Sequence, residues 1–279
     1  MTAAPGPAAP TAARQARALV RYVWTHPANA GRRPAALLRM ARHQAQGRLL
    51  GRRTKARLGD HSWLWADLHR TAAALVVYAN PPDLPEMNAW RRVLRPGCLF
   101  VDVGANVGTY SVWAAERGAE VIALEPAADT FMLLQENIAL NGYAVQAIRA
   151  AAGASCGTAA FTSGQDAGNR LDPAGSTQIR LLTVDSLIGD RVIDGMKVDV
   201  EGFELEVLRG CRRALAEQRI RLMQLEWNAA SQFALGVDRQ PVADLLASCG
   251  YGLYRPDAAG RLMPVDHAHY GPDVFACPA

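Results

Sequence analysis

Val101-Asp102-Val103-Gly104-Ala105-Asn106-Val107-Gly108-Thr109-Tyr110 decides the fold of this chain. Leu99–Val103 is a short apolar run of strand type, and the residues from Tyr110 to Arg117 read as a helix. The turn between them carries glycines, which let backbone approach a ligand with no Cβ in the way. The same rhythm continues downstream. Strands are expected at Glu120–Leu124, Val145–Arg149, Ile193–Val200, Ile220–Glu226, Tyr251–Tyr254 and Val274–Cys277, and helices at Asp129–Leu140, Glu204–Ala216 and Pro241–Cys249. A polar excursion covers Ser163–Thr177. Strands alternating with helices imply a parallel sheet covered on both faces. Ligands then sit outside the carboxyl ends of the strands, where the topology switches.

Upstream of the turn the pattern differs. Residues 1–13 are rich in Ala and Pro and read as a disordered tail. Arg14–Trp24 has helical spacing and ends at His26-Pro27, because a residue before proline is pushed out of the helical region. A second helix is expected from Pro34 to Leu50, followed by a basic connector, Arg48–Arg57. Within Asp60–Ala79, Trp63, Leu64 and Leu68 fit a helix and Ala74–Tyr78 a strand. Pro81-Pro82 is a break, and Glu86–Leu94 a short helix. The chain thus divides into the tail, a basic helical extension over 14–80 that serves as a lid or dimer contact, and a catalytic domain over 81–279.

Thirty basic and 26 acidic residues leave a net charge of +4. That average hides a split: residues 1–60 hold twelve Arg or Lys and one acid, Asp60, for a local +11, and the remainder is −7. The extension is expected to pack on the catalytic domain, cover its acceptor pocket, or attract an anionic substrate such as a phosphorylated sugar. Apolar runs such as Ala72–Ala79 fall far short of the roughly 20 residues a membrane helix needs. The N-terminus has no secretory-signal pattern. Five scattered cysteines without a Cys-x-x-Cys argue for reduced thiols in a cytoplasmic compartment, and against a zinc site or disulfide frame.

The chemistry concentrates in three places. A dinucleotide fingerprint needs G-x-G-x-x-G; Gly104 supplies the first glycine, but Asn106 and Thr109 occupy the other two positions. A P-loop is absent. Asp102 at the mouth of the loop would repel a pyrophosphate and welcome an ammonium group. Glu125 ends the second strand, and an acid about 20 residues beyond such a loop accepts hydrogen bonds from ribose hydroxyls; Pro126 starts the next helix. An ammonium partner, a ribose partner and no pyrophosphate partner together describe S-adenosyl-L-methionine. In Met196–Glu204, Lys197, Asp199 and Glu201 share one face of a strand, where a central parallel strand normally reads Val/Ile/Leu. Such charges are costly unless paired or facing a cleft. They form either a structural ion-pair cluster, for example Lys197 with Asp185, or a reaction site with Asp199 or Glu201 as general base and Lys197 orienting it. Glu204, Glu226 and Trp227 are candidate acceptor-pocket residues. His61 and His69 read as surface or packing residues. No carboxylate/His spacing resembles a metal site, so metal independence is expected.

Taken together, Asp102–Tyr110, Glu125-Pro126, Asn137 with Asn141-Gly142, Val184-Asp185-Ser186-Leu187, and Lys197–Glu204 with Leu208-Arg209-Gly210 resemble the FkbM-type S-adenosylmethionine-dependent methyltransferases. His26-Pro27-x-Asn29 resembles the start of members with a helical leader. The resemblance implies an α/β, class I (Rossmann-like) methyltransferase fold, with a seven-stranded, mostly parallel sheet whose last strand is reversed. It also implies methyl transfer to a hydroxyl of a sugar, polyketide or other specialised metabolite. By position, Asp102, Gly104, Ala105, Asn106, Gly108 and Tyr110 would form the cofactor loop, Glu125 would hold the ribose, and Asp199 and Glu201 would face the acceptor. One departure stands out: Ala150–Ser155 lacks the acidic residue that such proteins often place near the adenine. Competing readings are N-methylation of an amino sugar, an RNA methyltransferase that uses the basic extension, and a non-enzymatic membrane-surface or assembly module.

Overall fold

The computed structural model describes residues 12–68, 70–162, 175–227, 238–266 and 271–279. Residues 1–11 of the expected tail, most of the polar excursion, His69 and Asn228 lie outside them, and Ala12 and Ala13, expected in the tail, begin the first helix.

The chain opens with α1 (Ala12–Thr25) and α2 (Arg33–Leu50), joined by a 3-10 turn at Pro27–Asn29. At that turn His26 Nδ1 accepts the Ala28 N–H at 3.2 Å, so its Nε2 carries the proton and donates to the Pro82 carbonyl at 2.7 Å. Asn29 donates to the carbonyls of Val23 and Tyr78, both at 2.9 Å.

The next segment reverses the sequence expectation. Residues 54–66 form an antiparallel hairpin, β1 (Thr54–Leu58) with β2 (Ser62–Ala66), and Thr71–Tyr78 is a helix, α3. The hairpin obeys a period of two: Ala56, Leu58, Ser62, Leu64 and Ala66 are buried, with Lys55, Arg57, Trp63 and Trp65 on the other face. Tryptophans on the outer face disguised the alternation as an unbroken apolar run. They lie under cations, with Lys55 Nζ 5.1 Å and the Arg57 guanidinium 5.6 Å from the Trp63 ring centre. In α3, Val76 and Val77 favour a strand locally, but Ala73, Ala74 and Val76–Ala79 are all buried. Packing from several sides overrides a propensity difference of less than about 1 kcal/mol per residue.

From here the expected rhythm holds: α4 (Leu84–Val93), β3 (Leu99–Val103), α5 (Thr109–Glu116), β4 (Glu120–Leu124), α6 (Ala128–Asn141) and β5 (Val145–Ile148). A small three-stranded sheet follows, made of β6 (Ala151–Ala152), β7 (Gly157–Phe161) and β8 (Thr177–Leu182). Then come α7 (Val184–Ile188), β9 (Gly195–Val198), α8 (Glu204–Arg209), α9 (Arg212–Ala216), β10 (Met223–Leu225), α10 (Gln240–Ser248), β11 (Tyr251–Pro256), β12 (Leu262–Pro264) and β13 (Val274–Pro278). The helix expected over Glu204–Ala216 breaks at Gly210, where a Cβ would stand 2.1 Å from the Gly153 carbonyl oxygen.

The main sheet has the order β12-β11-β13-β10-β9-β3-β4-β5. Strands β10, β9, β3, β4 and β5 pair in parallel, and β13 is inserted antiparallel between β10 and β11. The reversed last strand is therefore present, and the described sheet has eight strands where seven were expected, because β12 adds an edge hairpin to β11. The order runs outward from β3 through β5 and returns to β9, so the switch point lies between β3 and β9.

Two apolar layers cover the sheet. One joins Phe100, Trp90, Trp113 and Leu134 to Val23, Ala36, Leu58 and Leu64 of the extension. The other joins Val101, Val103, Met196, Val198, Val207 and Leu225. The extension is thus part of the main core. Its hairpin docks on α5 and α6: the Glu116 carboxylate accepts the N–H groups of Asp60, His61 and Ser62, and Asn141 exchanges hydrogen bonds with Trp63 at 2.8 Å each.

Candidate active site

A cavity of about 480 Å³ opens at the switch point. Its wall includes Asp102, Gly104, Ala105, Asn106, Tyr110, Glu125 and Pro126 of the expected cofactor set, and Lys197, Asp199, Glu201 and Glu226 of the expected reaction set. The fold brings these residues into one cleft from four strand ends.

The loop after β3 is shaped mainly by protein contacts. Gly104 and Ala105 donate to the Leu124 carbonyl at 3.0 and 2.9 Å. Gly104 has φ +81°, and a Cβ there would lie 1.9 Å from the Asp199 carbonyl oxygen. Glycine is required by the approach of two backbones, where the sequence reading had invoked a ligand. A Cβ at Gly108 would meet Leu134 at 2.7 Å. Asn106 takes φ +51°, and its Oδ1 accepts the Val107 N–H at 2.8 Å. Asn137 bridges this loop to the extension: its amide donates to the Val107 carbonyl and accepts the Trp65 N–H, both at 2.8 Å.

Glu125 accepts N–H groups from Asn106 at 3.0 Å and Ala127 at 2.8 Å, and burial pushes its carboxyl pKa up to about 7. Each of its oxygens keeps a further lone pair for a hydroxyl donor. Asp102 is buried. Ser111 donates to its Oδ2 at 2.6 Å, and its Oδ1 has no hydrogen-bond partner among the described residues. Burial raises its pKa against the opposing pull of Lys197. Thr109 Oγ1, on the same wall, also lacks a partner among the described residues. Buried polar atoms are nearly always paired, so an acceptor at Asp102 and a hydroxyl at Thr109 suit the ammonium and carboxylate of an amino-acid group. Ala150, Ala151, Ala152 and Phe161 supply an apolar wall for a flat base, and exposed Ser155 lies outside it. The donor set therefore fits S-adenosylmethionine.

A polar network lies behind this wall. Buried Lys197 donates to Asp199 Oδ2 at 2.6 Å and stands 4.8 Å over the Tyr110 ring. Burial opposes its charge, but Asp199, Asp102 and Asp273 outweigh that and raise its pKa. The pairing of Lys197 with Asp185 does not form; Asp185 instead accepts the N–H groups of Arg213 and Ala214. Tyr110 donates to Asp83 Oδ2 at 3.0 Å and accepts from Gln224 at 3.1 Å, and Gln224 also donates to Asp273 at 2.8 Å. Burial pushes Glu86 up to about 7 and Asp273 up to about 6, and raises Asp83. Sequence reasoning missed Asp83, Glu86, Gln224 and Asp273. They come from outside the glycine-loop motifs, and only the position of Asp83 beside Pro81-Pro82 offered a signal.

Strand β9 ends at Val198, so simple alternation does not place Glu201. A turn with φ +53° at Glu201 and +99° at Gly202 does. Carboxylate oxygens of Asp199, Glu201 and Glu226 come within 4.8 Å of one another. Sequence spacing did not reveal this trio, which is a donor set suited to a hard divalent cation. A proton relieves the same repulsion: burial, then Asp199, Glu201 and Glu204, push Glu226 up to about 9 against the pull of Arg239. Two expected acceptor residues lie elsewhere. Glu204 is buried in an ion pair with Arg239 and accepts the Gly202 N–H, so it holds the turn in place. Trp227 is fully buried in the core, beneath Arg239. Both face inward: α8 packs on the sheet, and Trp227, just beyond the end of β10, joins the same core as Val207 and Leu208. His61 is exposed in the hairpin turn.

Residues 102–253 match the Methyltransferase FkbM domain. The chain is 34% identical over 152 residues to the hexuronic acid methyltransferase AglP of Haloferax volcanii, covering 52% of this chain and 60% of that protein. The match thus spans less than two thirds of that relative's length. It is 25% identical over 220 residues to the methyltransferase sdnD of Sordaria araneosa, covering 64% of this chain and 79% of that one. Among solved structures, the 16S rRNA N2 G1207 methyltransferase RsmC of T. thermophilus, in complex with AdoMet and guanosine, aligns with a TM-score of 0.44 at 16% identity, over 82% of this chain and 50% of that one. That likeness is loose, and the strand order carries the fold assignment. The chain belongs to the FkbM methyltransferase family, whose domain its residues 102–253 match.

Proposed function

We propose that the protein transfers a methyl group from S-adenosylmethionine to a hydroxyl of a sugar or related specialised metabolite. The observation that carries this reading is the contiguity, within one cleft, of the Asp102 loop and the Lys197–Asp199–Glu201 cluster. S-adenosylmethionine supplies a methyl group on a sulfonium, open to in-line displacement. Asp102 receives its ammonium, Thr109 its carboxylate, Glu125 its ribose hydroxyls, and the wall from Ala150 to Ala152 with Phe161 its base. Asp199 takes the proton of the acceptor hydroxyl, a role worth roughly 10²–10⁴ in rate. Lys197 holds Asp199 in position, and Glu201 faces the acceptor beside it. Burial favours the neutral form of Glu226, in which its carboxyl can donate.

The relative named for hexuronic acid supports a sugar acceptor. The acidic lining, with Asp83, Glu86, Asp199, Glu201 and Asp273 against Lys197, favours a neutral acceptor over an anionic one. The same lining favours a second reading, N-methylation of an amino sugar. Methyl-labelled cofactor incubated with neutral sugars, hexuronic acids and amino sugars separates the two by the atom labelled. Loss of hydroxyl labelling in Asp199→Asn and Glu201→Gln supports the first reading. Near-normal rates in both variants overturn the base assignment. Retention of full activity in EDTA supports metal independence.

A further inference from the structure

Helix α3 contributes to two clefts. Leu75 lines the active-site cleft, and Val76 and Val77 line a second, of about 610 Å³, between α2, α3 and the β1–β2 hairpin. Six cations line it: Arg32, Arg39, Arg42, Arg53, Lys55 and Arg57. Among the described residues no acidic one is on its wall; Asp67, off the wall, is near enough to His43 to oppose the effect of burial on its pKa. Neutral contacts hold three of these cations. Arg39 donates to the Val77 carbonyl at 3.4 Å and to Asn29 Oδ1 at 3.2 Å, and Lys55 and Arg57 lie over the Trp63 ring. Arg53 alone among them has a carboxylate partner within the described residues, Glu136 at 2.5 Å.

A second observation points to a ligand. His43 lines this cleft and is 1% exposed. Its Nδ1 lies 2.7 Å from Thr54 Oγ1, and its Nε2 is buried with no hydrogen-bond partner among the described residues. If the Thr54 hydroxyl donates to Nδ1, Nε2 carries a proton and is a donor in need of an acceptor.

We propose that this cleft binds the phosphate or pyrophosphate group of a small molecule, with Arg39, Arg42 and Lys55 as charged donors and His43 Nε2 as a neutral one. Burial, and after it repulsion by Arg32, lowers the pKa of Arg39, and charges within a Debye length, about 8 Å at physiological salt, are incompletely screened. An anion relieves that repulsion, and the guanidinium fork matches phosphate oxygens two at a time. A volume within the roughly 300–1,000 Å³ of small-molecule sites leaves room for the group that carries the phosphate. Two sources share this chemistry, a soluble phosphate ester and a lipid headgroup. The inference does not depend on which acceptor is methylated.

The test is calorimetric titration of inorganic pyrophosphate into the full chain, with and without saturating S-adenosylhomocysteine. One site is expected in both conditions. Affinity should fall at least tenfold in Arg42→Glu/Lys55→Glu, whose side chains are exposed, and in His43→Phe, with the melting temperature of the double variant unchanged. Absence of pyrophosphate binding, equal affinity in the double variant, or displacement of pyrophosphate by S-adenosylhomocysteine overturns the proposal. Soluble nucleoside diphosphate and phosphatidylcholine vesicles doped with phosphatidic acid then distinguish the sources; binding of either that is lost in the double variant supports the site. Tight binding of short single-stranded RNA that pyrophosphate does not compete with overturns it in favour of a nucleic-acid surface.

Discussion

The two clefts that share α3 carry opposite charge and manage it in opposite ways. The active-site cleft gathers carboxylates at half-buried or buried positions around one buried Lys197. Burial, and after it the neighbouring carboxylates, raises the pKa values of Glu86, Glu125, Glu226 and Asp273 and so favours their neutral forms. The second cleft gathers exposed cations, and guanidinium groups do not deprotonate near neutral pH. Arg39, Lys55 and Arg57 are held on indole faces and carbonyl oxygens, with their charge left for a counter-ion, and Arg53 is paired with Glu136. The chain has only two lysines, and one stands in each cleft: Lys197 is buried against Asp199, Lys55 exposed over Trp63. The difference is one of desolvation. Buried charge must be neutralised or paired within the protein, and exposed charge can wait for a ligand.

The sharpest way to break the contrast is at the reaction cluster. Asp199→Asn is expected to lower turnover by roughly 10²–10⁴ if Asp199 is the base, with S-adenosylhomocysteine affinity little changed and pyrophosphate binding unchanged. Single-turnover rates and calorimetry on one preparation check this. Next is Asp102→Asn, which leaves the cofactor ammonium without a charged acceptor. Its expected cost is about 2 kcal/mol of binding, roughly thirtyfold in S-adenosylhomocysteine affinity. An unchanged affinity would remove Asp102 from the cofactor site.

The third effect tests whether the two regions are joined through Asn137. Asn137→Ala deletes the bonds to Val107 and Trp65 and should lower stability by about 1–3 kcal/mol. Scanning calorimetry should show a melting temperature lower by roughly 2–4 °C per kcal/mol for a chain of this size. A full melting temperature would mean that the hairpin docks independently of the loop.

The last test is one of sign, in the pH dependence of stability. Glu226, raised from 4.5 to about 9, binds more protons folded than unfolded. Its contribution is fully present below about pH 4.5 and is lost as pH rises through 9. The wild-type melting temperature should therefore decline over that window, and less steeply in Glu226→Gln. Arg57 lies in the other cleft, so Arg57→Gln should leave the decline unchanged.

Much of the fold was legible because its signals are local. The Gly104–Gly108 turn, the alternating apolar runs from Leu99 onward and the helix stop at His26-Pro27 each depend on neighbours in sequence. The hairpin and α3 were inverted because Trp63 and Trp65 are apolar residues on an outer face, and Val76 and Val77 are strand formers held in a helix by surrounding side chains. In the site, Asp102, Glu125, Lys197, Asp199 and Glu201 were visible as charges interrupting apolar strands or ending them. Asp83, Glu86, Gln224 and Asp273 interrupt nothing and carry no motif.

The sequence by itself determined the strand–turn–helix with Asp102 at its mouth, the acid at Glu125, and the charged end of β9, because these follow from spacing along one chain. Tertiary structure alone decided that Glu201 and Glu226 meet Asp199, that Glu204 turns inward to Arg239, and that six cations and His43 surround one cleft. Those outcomes depend on which strand ends adjoin at the switch point and on how much water packing leaves around each charge, and neither quantity is written in local spacing.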